Sequence, residues 1–260
     1  MRFVKVLCVV VMLVALSFSA SQAQVAGKWG VGGFVSYNKP LFTFGDRFSG
    51  GVDKWGLNMS YVANSQVTLE AEYHHATMDN GALETAPFQW SPKGGVLNNY
   101  TSKALNPSSS YTTKFNSVAL AAQWHFNADR TMGEGSYSPY LVIGGGFYDH
   151  DTVANGIIWP GQGTADAEAA GGAGNVDADG NVKPSVTMGL QRDTRTALSG
   201  TVGLGLEAFL TPTIAVDMRA RYHFVLGELR PYTGGGWAFE KTFPLQMMDL
   251  SVGFKFYFWD

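Results

Sequence analysis

The sequence predicts an all-β fold in which eight antiparallel strands run up and down around a closed barrel. Apolar residues alternate with polar residues or glycine in eight separate segments, which is the period that strands produce. The connections between these segments are alternately long and short. Beyond the first 23 residues, no apolar run approaches the roughly 18 residues that a membrane-spanning helix needs. These observations favour strands throughout the chain.

The last predicted strand shows the alternation most clearly. Residues 250–259 read Leu-Ser-Val-Gly-Phe-Lys-Phe-Tyr-Phe-Trp. Every second residue is apolar and falls on one face, and these residues are Leu250, Val252, Phe254, Phe256 and Phe258. So large an apolar face needs a large apolar partner, and the acyl chains of a bilayer provide one. The segment therefore predicts a strand that faces lipid.

The same alternation recurs in seven earlier segments, which are residues 28–38, 53–62, 67–77, 113–126, 137–148, 197–210 and 214–224. The long connections are predicted as loops at residues 39–52, 78–112, 149–195 and 225–245. Short turns on one side and long loops on the other are typical of transmembrane barrels. Such a barrel has to close, because backbone groups in hydrocarbon must bond one another. A secreted soluble β-sandwich is the alternative, but it gives no reason for the alternating lengths.

The first 23 residues are predicted to be a signal peptide. Arg2 and Lys5 precede an apolar run at residues 6–16, and Ser21 and Ala23 occupy the small-residue cleavage positions. We therefore expect cleavage after Ala23, export, and a mature domain that begins at the next residue.

The composition of the mature domain, residues 24–260, fits this class. The 32 glycines and the aromatic share of 13% suit short turns and aromatic belts at membrane interfaces. The one cysteine, Cys8, lies in the signal peptide, so we expect no disulfide. The net charge of the full chain, −3, gives no reason to expect nucleic acid as a partner. No cofactor is predicted.

The C-terminal strand resembles the membrane-insertion signal of bacterial outer-membrane barrels, through Ser251, Gly253, Phe256 and Phe258, although two further residues follow. With the eight-strand pattern, the chain is similar to the small outer-membrane proteins of the OmpA, OmpX and OmpW kind. The resemblance implies a monomer in the bacterial outer membrane, surrounded by lipid and lipopolysaccharide and inserted by the barrel-insertion machinery. It implies either a structural or surface-interaction role or, as in the OmpW group, a narrow channel for small solutes.

Eight charged residues fall on the polar faces of the predicted strands: Glu70, Glu72, Glu207, Asp217, Arg219, Arg221, Asp249 and Lys255. A cationic side chain facing lipid near the bilayer midplane costs about 2 to 4 kcal/mol, so we expect these residues to point inward. The turn at residues 211–213 places Glu207 opposite Asp217 and diagonal to Arg219, which predicts ion pairs in the lumen. An eight-stranded interior is narrow enough for side chains to fill. Two interpretations stay open: a polar plug, and a gated conduit in which pairs exchange partners.

An enzyme acting on lipid A is a further alternative. Such an enzyme needs a histidine beside a serine at the outer rim. His74, His75 and His150 end predicted strands, and Ser109 and Ser199 are the candidate serines. Their spacing matches no catalytic triad, so we expect no enzymatic activity.

The predicted outer loops contain two further groups of interest. One matches the opening of a calcium loop but has Val186 where a bidentate glutamate is required, and its residues are Asn175, Asp177, Asp179 and Asn181. We expect a solvated turn there and no metal. Trp90, Trp159 and Trp237 lie on three different loops, where they recognise an extracellular ligand, fold back over the barrel mouth or rest among lipopolysaccharide headgroups.

Overall fold

The computed structural model describes residues 25–79, 81–83, 87–90, 98–101, 109–156, 190–230 and 242–258. Within these ranges the chain forms strands and one short helix: β1 (Trp29–Pro40), α1 (Phe42–Gly45), β2 (Gly51–Val62), β3 (Val67–Met78), β4 (Pro87–Trp90), β5 (Asn98–Thr101), β6 (Ser110–His125), β7 (Tyr137–Asn155), β8 (Gln191–Thr211), β9 (Ile214–Val225) and β10 (Leu245–Phe258). Across the same ranges, no helix is long and apolar enough to cross a membrane.

Eight of the strands close into one barrel. Their order around it is β1, β10, β9, β8, β7, β6, β3 and β2, and every neighbouring pair is antiparallel. Strands β4 and β5 form a separate two-stranded hairpin between β3 and β6. The predicted all-β fold with eight antiparallel strands is therefore confirmed.

The strands are staggered around the barrel. The cross-strand partners lead from Asn38 on β1 across the other seven strands and back to the first strand. The path ends at Lys28, which lies ten residues before its starting point. A stagger of this size over eight strands corresponds to a strand tilt of about 40°. The tilt decides which inward residues lie at the same height in the lumen.

The outward face of the barrel is apolar and exposed. Along β10, six exposed apolar side chains from Met248 to Phe258 alternate with inward residues. Phe254 is 60% exposed, whereas the neighbouring Lys255 is 1% exposed. At about 3.3 Å per residue and this tilt, the distance from Met248 to Phe258 corresponds to about 25 Å along the barrel axis. That is the height of the apolar band of an outer-membrane barrel.

Strands β7 and β8 extend furthest beyond their predicted bounds. Strands β7 and β8 occupy both ends of the predicted loop at residues 149–195, which is a correction to that loop. Their extensions are joined by polar contacts: Arg192 donates two hydrogen bonds to Asp151, at 2.7 and 2.6 Å, and Thr196 donates one to Asp149 at 3.0 Å. Above the membrane neither face has to be apolar, so the hydrophobic alternation that identifies a strand is lost there.

The other predicted loops also contain regular structure. The interval 39–52 includes α1 and the ends of β1 and β2. The interval 78–112 includes the hairpin of β4 and β5 and the first residues of β6. A helix of four residues is too short to show a helical period in the sequence. The predicted signal peptide lies outside the described residues.

Candidate functional site

The lumen is divided into three layers. An outer apolar plug closes the end that bears the long loops, and it consists of Phe44, Phe48, Ala76, Met78, Tyr111, Phe115, Tyr148, Ala154, Ala197, Val225, Leu229, Leu245 and Met247. An inner apolar plug closes the opposite end, with Val25, Val62, Met132, Phe209, Ala215 and Tyr257. Charged and polar side chains fill the space between the two plugs.

Helix α1 contributes the centre of the outer plug. After β1 ends at Pro40, the chain turns back over the mouth and buries Phe44 completely and Phe48 to 3% exposure. The Phe44 ring lies 5.4 Å from that of Phe48 and 6.0 Å from that of Phe115. A Cβ atom on Gly81 would lie 2.6 Å from the Phe48 ring, so only glycine fits beneath it. The outer mouth is therefore closed by packed aromatic side chains.

The inner plug includes the turn between β6 and β7, residues 126–136. Met132 from this turn is buried among apolar side chains of the inner plug. Arg130 from the same turn reaches into the lumen, where it pairs with Glu207 and donates a hydrogen bond to Thr68 Oγ1 at 2.8 Å. Burial lowers the pKa of Arg130, but the Glu207 carboxylate raises it by more. The net shift of the Arg130 pKa is therefore upward. Burial, and then the charge of Arg130, lower the pKa of Lys28.

The middle layer contains equal numbers of carboxylates and cations. Ten of its charged side chains are no more than 5% exposed: Glu70, Glu72, Glu207, Asp217, Asp249, Lys54, Arg130, Arg219, Arg221 and Lys255. Charges removed from water to this degree are tolerated when each is paired and hydrogen-bonded. The five carboxylates neutralise the five cations, and we call these ten residues the charge network.

Arg219 and Lys255 join four of the carboxylates. Arg219 forms ion pairs with Glu70, Glu72 and Asp217, and its Nε donates to Asp217 at 2.7 Å. Lys255 Nζ lies 3.1 Å from Glu70, 3.2 Å from Asp217 and 3.5 Å from Glu207. These contacts connect β3, β8, β9 and β10 across the lumen.

Asp249 pairs with two further cations, Arg221 and Lys54, nearer the outer end. Its carboxylate accepts hydrogen bonds from Arg221 Nε at 3.0 Å and from Lys54 Nζ. His223 Nε2 lies 2.8 Å from the same carboxylate. Arg221 also donates to Glu72 at 2.7 Å, which links this group to the rest of the charge network.

All eight charged residues singled out in the sequence lie in this network, but one predicted contact is wrong. Glu207 does pair opposite Asp217 across the turn, yet it does not contact Arg219. The Arg219 side chain bends towards Asp217 on its own strand and towards β3. Glu207 instead accepts a hydrogen bond from Tyr257 at 2.5 Å and pairs with Arg130.

Sequence reasoning missed two cations of the network. Lys54 is on the polar face of the second predicted strand, so the alternation that identified the other members could have found it. Arg130 lies in a turn, where no periodicity indicates the direction of a side chain. Its position follows only from the fold of the turn.

The described histidines do not form the rim cluster that the alternative of a lipid A enzyme would need. His74 is buried in the lumen beside Glu72, with its ring 6.0 Å from that of His223. His75 faces outward, 2.9 Å from Asn116 Oδ1. His150 is fully buried near the outer plug, and Ser199 Oγ forms no hydrogen bond among the described residues.

Glycine and alanine line part of the lumen wall. Gly203 and Gly205 leave room for large side chains, since a Cβ atom on Gly205 would overlap the Tyr140 ring. On β7, the nearest neighbours of a Cβ atom on Gly144 or Gly146 belong to the adjacent strand β6 and not to a side chain across the lumen. The wall formed by β6 and β7 therefore carries no large side chain at these positions.

The remaining predicted sites are placed as follows. On β10, Ser251 and Gly253 face inward while Phe256 and Phe258 face lipid, and this strand closes the barrel against β1. The described residues contain no group of histidine, cysteine, aspartate or glutamate suited to hold a metal. Outside them lie Trp159, Trp237, the side chain of Trp90 and the calcium-loop residues Asn175, Asp177, Asp179 and Asn181.

An apolar belt outside and a charge network inside define this molecule as a transmembrane β-barrel protein. The sequence model of the family described as "Outer membrane protein beta-barrel domain" matches residues 8–258, and the chain belongs to this family.

The chain is similar to several solved structures of outer-membrane proteins. A major outer membrane protein from Thermus thermophilus has 12% identity and a TM-score of 0.50, covering 90% of this chain and 100% of its own. Neisserial surface protein A has 13% identity and a TM-score of 0.43, with coverages of 88% and 97%. The Ail protein of Yersinia pestis has 14% identity and a TM-score of 0.39, with coverages of 90% and 99%. No curated protein sequence matches the chain significantly.

Proposed function

We propose that the chain is a barrel of the bacterial outer membrane that acts as a closed scaffold for its outer loops. The observation that carries this proposal is the pair of apolar plugs, one at each end of the lumen. A solute would have to displace Phe44 at the outer end and Met132 at the inner end. The charge network between the plugs then serves to hold the strands together.

On this proposal the protein acts by contacting the molecules that surround it. The apolar belt faces membrane lipid and lipopolysaccharide, the barrel-insertion machinery recognises β10, and the protein is a monomer. An extracellular ligand binds through the outer loops. The chain reaches the membrane through a signal peptide that is cleaved after Ala23. The role involves no catalytic chemistry, so expression leaves the mass of lipid A unchanged, and an added or lost acyl chain would support an enzyme instead.

A narrow channel is the second candidate, and one observation favours it. Both plugs depend partly on segments outside the barrel wall, namely α1 and the turn at residues 126–136. Neither segment is a barrel strand, and the turn is held to β8 at its end, where Gly135 N donates to the Phe209 carbonyl at 2.9 Å. Beneath the outer plug, the wall has no side chain at Gly144 and Gly146.

Single-channel recording in planar bilayers separates the two candidates. A closed scaffold gives no conductance steps in the native protein. Arg130→Ala combined with Phe44→Ala is expected to produce steps, because both closures are then weakened. Leu198→Ala, which alters only the lipid-facing surface, is the matched control. Steps of defined size in the native protein, enlarged by the double substitution, would establish the channel and overturn the scaffold.

A further inference from the structure

A ring of polar positions lies directly beneath the outer plug. When the stagger of the strands is followed, one inward position on each barrel strand falls at the same height. These positions, which we call the polar ring, are Asn38, Lys54, His74, Ser117, Gly146, Ser199, His223 and Asp249. The apolar residues of the outer plug lie above them and the rest of the charge network lies below.

The charges of the polar ring are balanced. Lys54 forms an ion pair with Asp249, and its Nζ lies 3.2 Å from His223 Nε2. His223 Nδ1 lies 2.9 Å from the Thr201 hydroxyl. With the cation and the carboxylate already paired, the ring offers no net charge to a ligand. Anything bound within it should therefore be neutral.

Four members of the ring have polar atoms without a hydrogen-bond partner among the described residues. They are Asn38, through both amide atoms, His74, through Nδ1, and Ser117 and Ser199, through their hydroxyls. Asn38 is 0% exposed and His74 is 3% exposed. Buried polar groups in folded proteins are nearly always hydrogen-bonded, to protein or to ordered water. Four such residues in one ring point to a shared ligand.

The chemistry of these atoms identifies the ligand. His74 Nε2 contacts the Glu72 carboxylate and so carries the ring proton, which leaves Nδ1 as an acceptor. Asn38 presents both a donor and an acceptor, and a serine hydroxyl can act as either. The ligand must therefore be small, neutral and able to donate and accept, and water meets all three conditions. Gly146 contributes no side chain to the ring.

We propose that the polar ring holds a small group of buried water molecules that bridge Asn38, His74, Ser117 and Ser199. The outer plug separates these waters from the exterior. They complete the hydrogen bonding of the lumen at the height where the charge network meets apolar packing. This inference holds whether or not the barrel conducts.

The sign of one stability change tests the proposal. In Asn38→Leu the bridging waters lose two bonding atoms, so the midpoint of urea unfolding in detergent micelles should fall. An amide without any partner would behave in the opposite way, since its replacement by an apolar side chain of similar size relieves a buried polar group. The control is Ser36→Ala, two residues earlier on the same face, which removes a hydroxyl already bonded to the Leu250 carbonyl at 3.3 Å. A higher midpoint for Asn38→Leu than for the native protein would overturn the proposal.

Water can also be detected directly. Solid-state NMR of the native protein in bilayers can transfer magnetisation from water protons to side chains in contact with water. Early transfer is expected to the His74 ring and the Asn38 amide, and none to Val225 or Leu245 in the outer plug. Transfer to His74 and Asn38 as slow as to the plug residues would show a dry ring and contradict the proposal, even if Asn38→Leu lowered the unfolding midpoint.

Discussion

Replacing Arg219 with methionine is expected to cost more stability than any other single change in the lumen. Methionine retains most of the length of the side chain but leaves Glu70, Glu72 and Asp217 with one cation fewer. Removing one partner from a buried ion pair costs about 3 to 5 kcal/mol. Because three carboxylates share this guanidinium, we expect a loss near the upper end of that range. Urea unfolding in detergent micelles, followed by tryptophan fluorescence and by gel mobility of unboiled samples, measures it.

The matched control is Arg192→Met outside the membrane. Arg192 also forms an ion pair, with Asp151, but its side chain is 62% exposed, and pairs this open to water contribute little to stability. In the Arg219→Met background, Glu70→Gln should restore part of the loss, because it removes one unpaired negative charge. If Arg219→Met costs no more than Arg192→Met, the lumen is solvated and the reasoning from buried charges fails.

The remaining predictions concern the two faces of the wall. Leu204→Arg places a charge near the bilayer midplane and should cost about 2 to 4 kcal/mol in the same unfolding assay. Leu198→Arg, at the outer edge of the apolar belt, should cost about 0 to 1 kcal/mol. Equal costs for the two variants would show that this face does not meet lipid. Gly205→Ala forces a methyl group against Tyr140 and should cost about 1 to 3 kcal/mol, while Gly200→Ala meets nothing within 4 Å and should be neutral. Equal unfolding midpoints for the two alanine variants would refute the packing argument.

The sequence predicts the wall of this barrel well because a lipid-facing strand has a strict physical signature. Each barrel strand must present apolar groups to lipid on alternate residues, as β10 does from Leu250 to Phe258, so the pattern survives without any knowledge of the fold. The same alternation assigns the inward charges to the lumen. It does not say which charges meet, because partners such as Arg219 and Glu72 are far apart in sequence and are joined only by barrel closure.

The parts that the sequence did not predict lie outside the membrane, where that constraint ends. The extensions of β7 and β8 are stabilised by polar pairs such as Asp151 with Arg192, which leave no apolar period. Helix α1 and Arg130 enter the lumen from a loop and a turn, and their positions depend on packing against residues from distant strands. Helix α1 and the turn that bears Arg130 are also the elements that close the two mouths. Whether the barrel conducts therefore depends on the segments whose structure the sequence predicts least well.

One face of every barrel strand meets acyl chains, and the other meets a packed polar interior. Spin labels on single cysteines along β10 test it directly, since the one native cysteine, Cys8, lies in the predicted signal peptide. Collisions with lipid-soluble oxygen should be frequent at Leu250, Val252, Phe254 and Phe256 and rare at Ser251, Gly253, Lys255 and Tyr257. Uniformly rare collisions, or the opposite alternation, would contradict the account.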